Sequence, residues 1–152
     1  MEASESQTTW VTPRAHHVLL YDGVCGLCQR SVRWMLAHDP EGSLLFAPQQ
    51  WPLAQEVFVR HALNPEQVNS VVLVSHFGTP AETLTLRSDA VLVCLTILGG
   101  RWALLARVGR LIPRALRDTA YRWIARNRRR IFPATKTCPI PTPAERARFL
   151  GI

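Results

Sequence analysis

Four cysteines in 152 residues are too few to staple a domain together, which removes the disulfide-framework class of small secreted proteins. No stretch offers the roughly 20 continuous apolar residues that a membrane-crossing helix wants. The nearest, residues 90–106, is broken by Gly99, Gly100 and Arg101. Met1 to Gln7 is acidic and polar with no apolar run behind it, so no secretory signal is expected. A reducing, cytoplasmic setting fits the cysteine usage. No internal repeat is visible, and His16, His17, His38, His61 and His76 are scattered without ligand spacing. Acidic side chains all but vanish from the last third. Residues 101–152 hold two against thirteen basic ones, a net +11, whereas residues 1–100 hold nine against five, a net −4. Almost all the basic groups are arginine.

What remains is a chain with 47% hydrophobic residues, long enough for one domain with a real core. The expected organisation is a flexible lead-in over 1–16, a domain over 17–132 and a Pro-rich tail over 133–152. The basic last third could meet nucleic acid, anionic lipid or an acidic partner, or be the solvated face of helices.

An apolar strand is expected at 17–21, ending at the turn signal Asp22-Gly23. A helix follows over 25–38, with Leu27, Val32, Met35 and Leu36 inward and Gln29, Arg30 and Arg33 outward. Asp39-Pro40 stops it. A short strand at 44–47 is closed by Pro48, and a helix suits 52–63. Residues 68–75 read as a central strand and 83–86 as its hairpin partner. Ser88-Asp89 offers an N-cap to a helix over 90–98 that Gly99-Gly100 ends, although residues 91–95 also read as a strand. Two further helices are expected at 102–108 and 115–127. In the second, Leu116, Ala120, Trp123 and Ile124 read as the inward stripe, with Arg114, Arg117, Arg122 and Arg126 as a solvated rim. The Pro/Thr-rich residues 133–143 read as extended. This order predicts a thioredoxin-like three-layer α/β fold with a small mixed sheet, plus a C-terminal basic helical extension. That extension is expected to dock over the core and bury Trp102, Trp123, Ile124 and Phe132.

The chemistry concentrates where the first strand meets the first helix. Cys25 and Cys28 form a CxxC pair at the helix start, where unpaired N–H groups and the helix dipole stabilise a thiolate. Cys25 is the expected nucleophile and Cys28 the shielded resolving thiol. Gly26 is expected to leave the face over Cys25 open to a partner. Asp22, three residues before Cys25, reads either as a cap of the turn or as a proton acceptor during exchange. Zinc is the rival use of such a pair, but it wants four ligands. Cys94 lies in an apolar run and reads as a core thiol. Cys138, in the Pro-rich tail, is either a third redox thiol or a cysteine without a role. Arg126, Arg128, Arg129 and Arg130 with Tyr121 and Trp123 match no nucleic-acid module, and nucleic acid is not an expected partner. The same arginines beside Trp102 and Leu104-Leu105 leave peripheral contact with an anionic membrane open.

These residues also carry a resemblance. Tyr21-Asp22-Gly23 with Cys25 and Cys28, then Ser88-Asp89-Ala90, then Ile112-Pro113, Tyr121 and Ala125-Arg126-Asn127-Arg128, with Cys138-Pro139 after them, occur in the order of the DCC family. That family of thiol–disulfide oxidoreductases (DUF393) is named for its Asp-x-x-Cys-x-x-Cys motif, and the chain resembles it over about residues 18–140. The resemblance implies a thioredoxin-like fold and a redox role for Cys25 and Cys28, with Asp22 as signature acid. Tyr21, Gly23, Ser88, Asp89, Arg126, Asn127 and Arg128 belong to the shared pattern. Thioredoxin-like proteins usually carry a cis-proline just before the third core strand. Gln67-Val68-Asn69-Ser70 has none, and the late Arg-Asn-Arg segment is the expected substitute. The expected function is thiol–disulfide exchange on a protein or low-molecular-weight disulfide, reset by a thiol reductant, with no cofactor and no metal. The alternative is a non-enzymatic redox-sensing or protein-interaction domain with a basic C-terminal surface.

Overall fold

The computed structural model describes residues 17–68, 70–133, 142–143 and 145–150. Its central strand β1 (His17–Tyr21) is apolar after the first position because both of its faces are covered. Val18 and Leu20 point to one layer, Leu19 and Tyr21 to the other. β2 (Leu44–Pro48) lies parallel to β1, an arrangement that needs a crossover, supplied by α1 (Gly26–His38). After α2 (Pro52–Arg60) come β3 (Val72–Ser75), antiparallel to β1, and β4 (Thr83–Leu86), antiparallel to β3. The sheet order is β2-β1-β3-β4. α3 (Arg87–Leu98), α4 (Gly100–Arg110) and α5 (Arg114–Ile131) follow. α2 packs Ala54, Val57 and Phe58 on one side of the sheet. α1 and α3 cover the other with Val32, Met35, Ala90 and Cys94. This is the expected thioredoxin-like three-layer arrangement, with α4 and α5 as a basic helical addition. Among the described residues no helix is long and apolar enough to cross a membrane.

β3 is shorter than its apolar run, because a 3-10 turn at Pro65–Gln67 and two side chains claim the preceding backbone. Gln49 Nε2 donates to the Ser70 carbonyl at 2.7 Å, and the Val71 N–H donates to the Tyr121 hydroxyl at 3.0 Å. α3 starts at Arg87, directly after β4, with Arg87 at φ +57° and no side-chain cap. Ser88 is therefore inside the helix, and its hydroxyl donates to Asp118 instead of capping. Gly99 and Gly100, at φ +73° and +57°, make the sharp break into α4 that a side chain would resist.

The inward stripe expected of α5 is corrected. Leu116, Trp123 and Ile124 are 62%, 61% and 43% exposed. The helix docks instead by a polar stripe: Asp118 receives Ser88, Arg114 and Arg117 pair with Asp89, Tyr121 receives Val71, and Arg128 pairs with Asp22. Arg117 is thus an anchor rather than rim, whereas Arg114 stays solvent-exposed beside Asp89, as expected. Burial of the aromatics is also partial: Trp102 is half-buried edge-on to Trp34 at 4.7 Å, and Phe132 is half-buried under the Arg30 guanidinium at 5.0 Å. At the far end of the chain, Arg148 pairs with Asp39 at 2.5 Å, Phe149 bridges to Phe46 beside β2, and Leu150 enters the α2-side core.

Candidate dithiol site

β1 stops at Tyr21 because its backbone partner changes: the Tyr21 carbonyl accepts from the Gln49 N–H at 2.7 Å, beyond the end of β2. The chain then turns through Asp22, Gly23 and Val24, and the side chains of Asp22, Gln50 and Gln29 fix that turn. Asp22 Oδ1 accepts from the Val24 N–H at 3.1 Å and from Gln50 Nε2 at 2.9 Å. Gln50 Oε1 accepts from the Gly23 N–H at 3.0 Å. Gln29 Nε2 donates to the Gly23 carbonyl at 2.6 Å. Gln29 is therefore buried, not outward as its polarity predicts, because the turn carbonyl needs a donor that water does not reach. A Cβ on Gly23 would sit 3.1 Å from Gln50 Oε1 and 3.2 Å from Pro48 Cβ, so a small residue suits this corner.

Cys25 is the N-cap of α1, in extended conformation, and its Sγ accepts from the Cys28 N–H at 3.5 Å. One of the helix's unpaired N–H groups is thus aimed at the sulfur. Cys25 and Cys28 are both free thiols, 6% and 8% exposed. The face over Gly26 is not open, contrary to expectation: a Cβ there would lie 2.8 Å from the Pro133 carbonyl, because the chain leaving α5 crosses the CxxC turn. Burial pushes the Cys28 thiol up to about 12, with the Cys25 sulfur adding to the rise. A backbone hydrogen bond from Asp22 and the Arg128 cation oppose it. Arg128 Nη2 lies 3.2 Å from Asp22 Oδ2, and each side chain is 17% exposed.

Of the other residues singled out from sequence, Tyr21 is buried at the end of β1. Ser88 and Asp89 do not join the thiols but lock α3 to α5 through Asp118, Arg114 and Arg117. Within Arg126-Asn127-Arg128 only Arg128 reaches the CxxC turn. Asn127 Nδ2 donates to the Trp123 carbonyl at 2.8 Å, and Arg126 lines an outer groove with Leu63, Asn64 and Arg87. Cys94 is fully buried, and burial pushes its thiol up to about 12. Cys138 lies outside the described residues. Gln29, Gln50 and the Tyr121 hydroxyl were not foreseen as parts of the site. The one available signal for Gln50 is its position just past β2, the strand parallel to β1. Among the described residues no three of His, Cys, Asp and Glu gather as metal ligands.

A CxxC pair at the start of the first helix of a thioredoxin-like sheet defines a redox-type dithiol protein. Residues 19–134 match the model of the family described as DCC1-like thiol-disulfide oxidoreductase, and the chain belongs to that DCC family. The uncharacterized protein YuxK of Bacillus subtilis is 30% identical over 135 residues, which cover 89% of this chain and 94% of the relative. A chloroplastic DCC family protein of Arabidopsis thaliana is 28% identical over 123 residues, covering 81% of this chain and 69% of the relative. No solved structure matches the chain.

Proposed function

We propose that the chain is a thiol–disulfide oxidoreductase acting through Cys25 and Cys28. The carrying observation is Cys25 at the N-cap of α1 with the Cys28 N–H directed at its sulfur. The Cys25 thiolate attacks a substrate disulfide, forming a mixed disulfide and releasing one thiolate. Cys28 then loses its proton and attacks the Cys25 sulfur, so the intramolecular disulfide forms and the second substrate thiolate leaves. A thiol reductant returns the pair to the dithiol, as a reducing cytoplasm would allow. Cys28 is the harder of the two steps, since burial holds its proton tightly. Arg128 eases it by favouring the Cys28 thiolate, and Asp22 is a positioning residue that keeps the turn and Arg128 in place. Both sulfurs are nearly covered and the Pro133 carbonyl lies over Gly26, which favours low-molecular-weight disulfides over folded proteins.

The test is alkylation of the thiols across glutathione redox buffers, with mass spectrometry of Cys28→Ser. A reversible Cys25–Cys28 couple and a glutathione adduct on Cys25 are expected. A pair that stays reduced across the range overturns the proposal. The burial of both sulfurs also favours a second reading, a redox sensor that is not a catalyst. Repeated turnover with glutathione and a small disulfide separates the two, because a sensor yields one disulfide per chain and stops.

A further inference from the structure

Cys28 faces a space that Cys25 does not. Between α1, α3 and α5, against the Leu19 and Tyr21 side of the sheet, lies a cavity of about 530 Å³ with Cys28 in its wall. Its volume falls in the range of small-molecule sites. The wall is mainly apolar, with Val32, Met35 and Leu92 deep in it and Leu116 and Ile124 forming an exposed lip on α5. Its two cations are already neutralised, Arg117 by Asp89 at 2.9 Å and Arg128 by Asp22 at 3.2 Å. A charged ligand would find no free counter-charge there and would lose its hydration, so the lining selects an uncharged one.

The hydroxyls of the wall narrow the class further. Ser31 donates to the Leu27 carbonyl at 2.9 Å, Ser88 donates to Asp118, and Tyr21 is already engaged as well. Tyr121 differs. Its oxygen accepts the Val71 N–H at 3.0 Å, while its own O–H proton meets no acceptor among the described residues. A ligand that fits therefore has an apolar body and an acceptor oxygen at one end.

We propose that this cavity binds an uncharged apolar carbonyl compound of the quinone class, which oxidises the Cys25–Cys28 dithiol from the Cys28 side. The inference rests on the dithiol chemistry proposed above. In the step, the two S–H bonds break and one S–S bond forms. The two electrons and two protons pass to the quinone, whose two carbonyl oxygens become the hydroxyls of a hydroquinone. Tyr121 is a positioning residue that donates a hydrogen bond to one of those oxygens.

The test uses tetramethyl-1,4-benzoquinone, which has no ring C–H position for lasting thiol addition. With the reduced full chain, one quinone should be consumed per disulfide formed, at a rate that saturates with quinone. The full chain carrying Cys25→Ser and Cys28→Ser should bind one quinone in equilibrium dialysis. Ala120→Trp, which narrows the lip, and Tyr121→Phe should each lower the ratio of quinone rate to glutathione-disulfide rate by about tenfold. Absence of saturable binding, or oxidation indifferent to both substitutions, overturns the proposal. A chain oxidised by glutathione disulfide but not by the quinone overturns this proposal alone. One oxidised by neither overturns the dithiol chemistry as well. A concentration-dependent dimer that Ala120→Trp disperses, without quinone binding, would assign the cavity to a second copy and overturn the proposal too.

Discussion

Arg128, near the end of α5, holds the carboxylate of Asp22, 106 residues earlier, with Nη2 3.2 Å from Oδ2. The last helix thereby takes part in the turn that carries the dithiol. Arg128→Met removes a partly buried partner of Asp22 and should lower stability by about 1–3 kcal/mol, between the values for exposed and buried pairs. It should also let the Cys25 mixed disulfide accumulate, since the Cys28 thiolate loses its nearby cation. Arg128→Lys should restore part of the resolution rate. Quenched-flow mass spectrometry reads that rate, and denaturant unfolding reads the stability.

Gly26→Ala should make Cys25 easier to reach. Its new Cβ would meet a backbone carbonyl, Pro133, at 2.8 Å, so the crossing segment must shift. Alanine also favours the first helical turn by up to about 1 kcal/mol, which offsets part of the strain. The expected outcome is little change in melting temperature and faster alkylation of Cys25 by a bulky maleimide. Unchanged alkylation would show that the segment does not limit access.

Cys28 should alkylate slowly at neutral pH even in Cys25→Ser, because burial is the first cause of its raised value of about 12. A thiol raised in this way stays protonated until high pH, and only the thiolate reacts. Its alkylation rate should therefore climb about tenfold per pH unit from neutrality upward, without a plateau below pH 10. A plateau near pH 9 would mean that the thiol is not desolvated as described.

Acid should unfold the chain through two carboxylates. Burial pulls Glu82 upward, but the Gly78 N–H, His61 and Arg60 outweigh it and hold it below its ordinary 4.5. The Ser88 hydroxyl, against burial and helped by Arg114 and Arg87, holds Asp118 below its ordinary 3.8. Groups depressed in the folded state contribute stability above their unfolded values and lose it as pH falls through the folded ones. The melting temperature should be level above about pH 5 and decline below it, with a shallower decline in Glu82→Gln.

β1, the CxxC turn and α1 were legible because an unbroken apolar run, a turn dipeptide and a helix period agree there. Apolar periodicity misread α5. Arg117 looks like part of a solvated rim until Asp89 is brought opposite it, and Leu116, Trp123 and Ile124 look like a core stripe until polar partners dock the helix by another face. Gln29 and Gln50 were hidden for a related reason, since each serves a backbone group whose exposure only the assembled turn decides. The covering of Cys25 comes from Pro133, far along the chain, and no local pattern announces it.

The polar docking of α5 has a further consequence. Helices held by apolar area resist salt, whereas the ion pairs that help hold α5 weaken as ionic strength rises. α5 is therefore the part of the molecule best suited to detach as a unit before global unfolding. Detachment would release Asp22, open the space beside Cys28 and draw the crossing segment off Gly26 in a single event. Reactivity and local unfolding then become one equilibrium, and hydrogen exchange in the amides of α5 should rise with salt in step with the alkylation rate of Cys25.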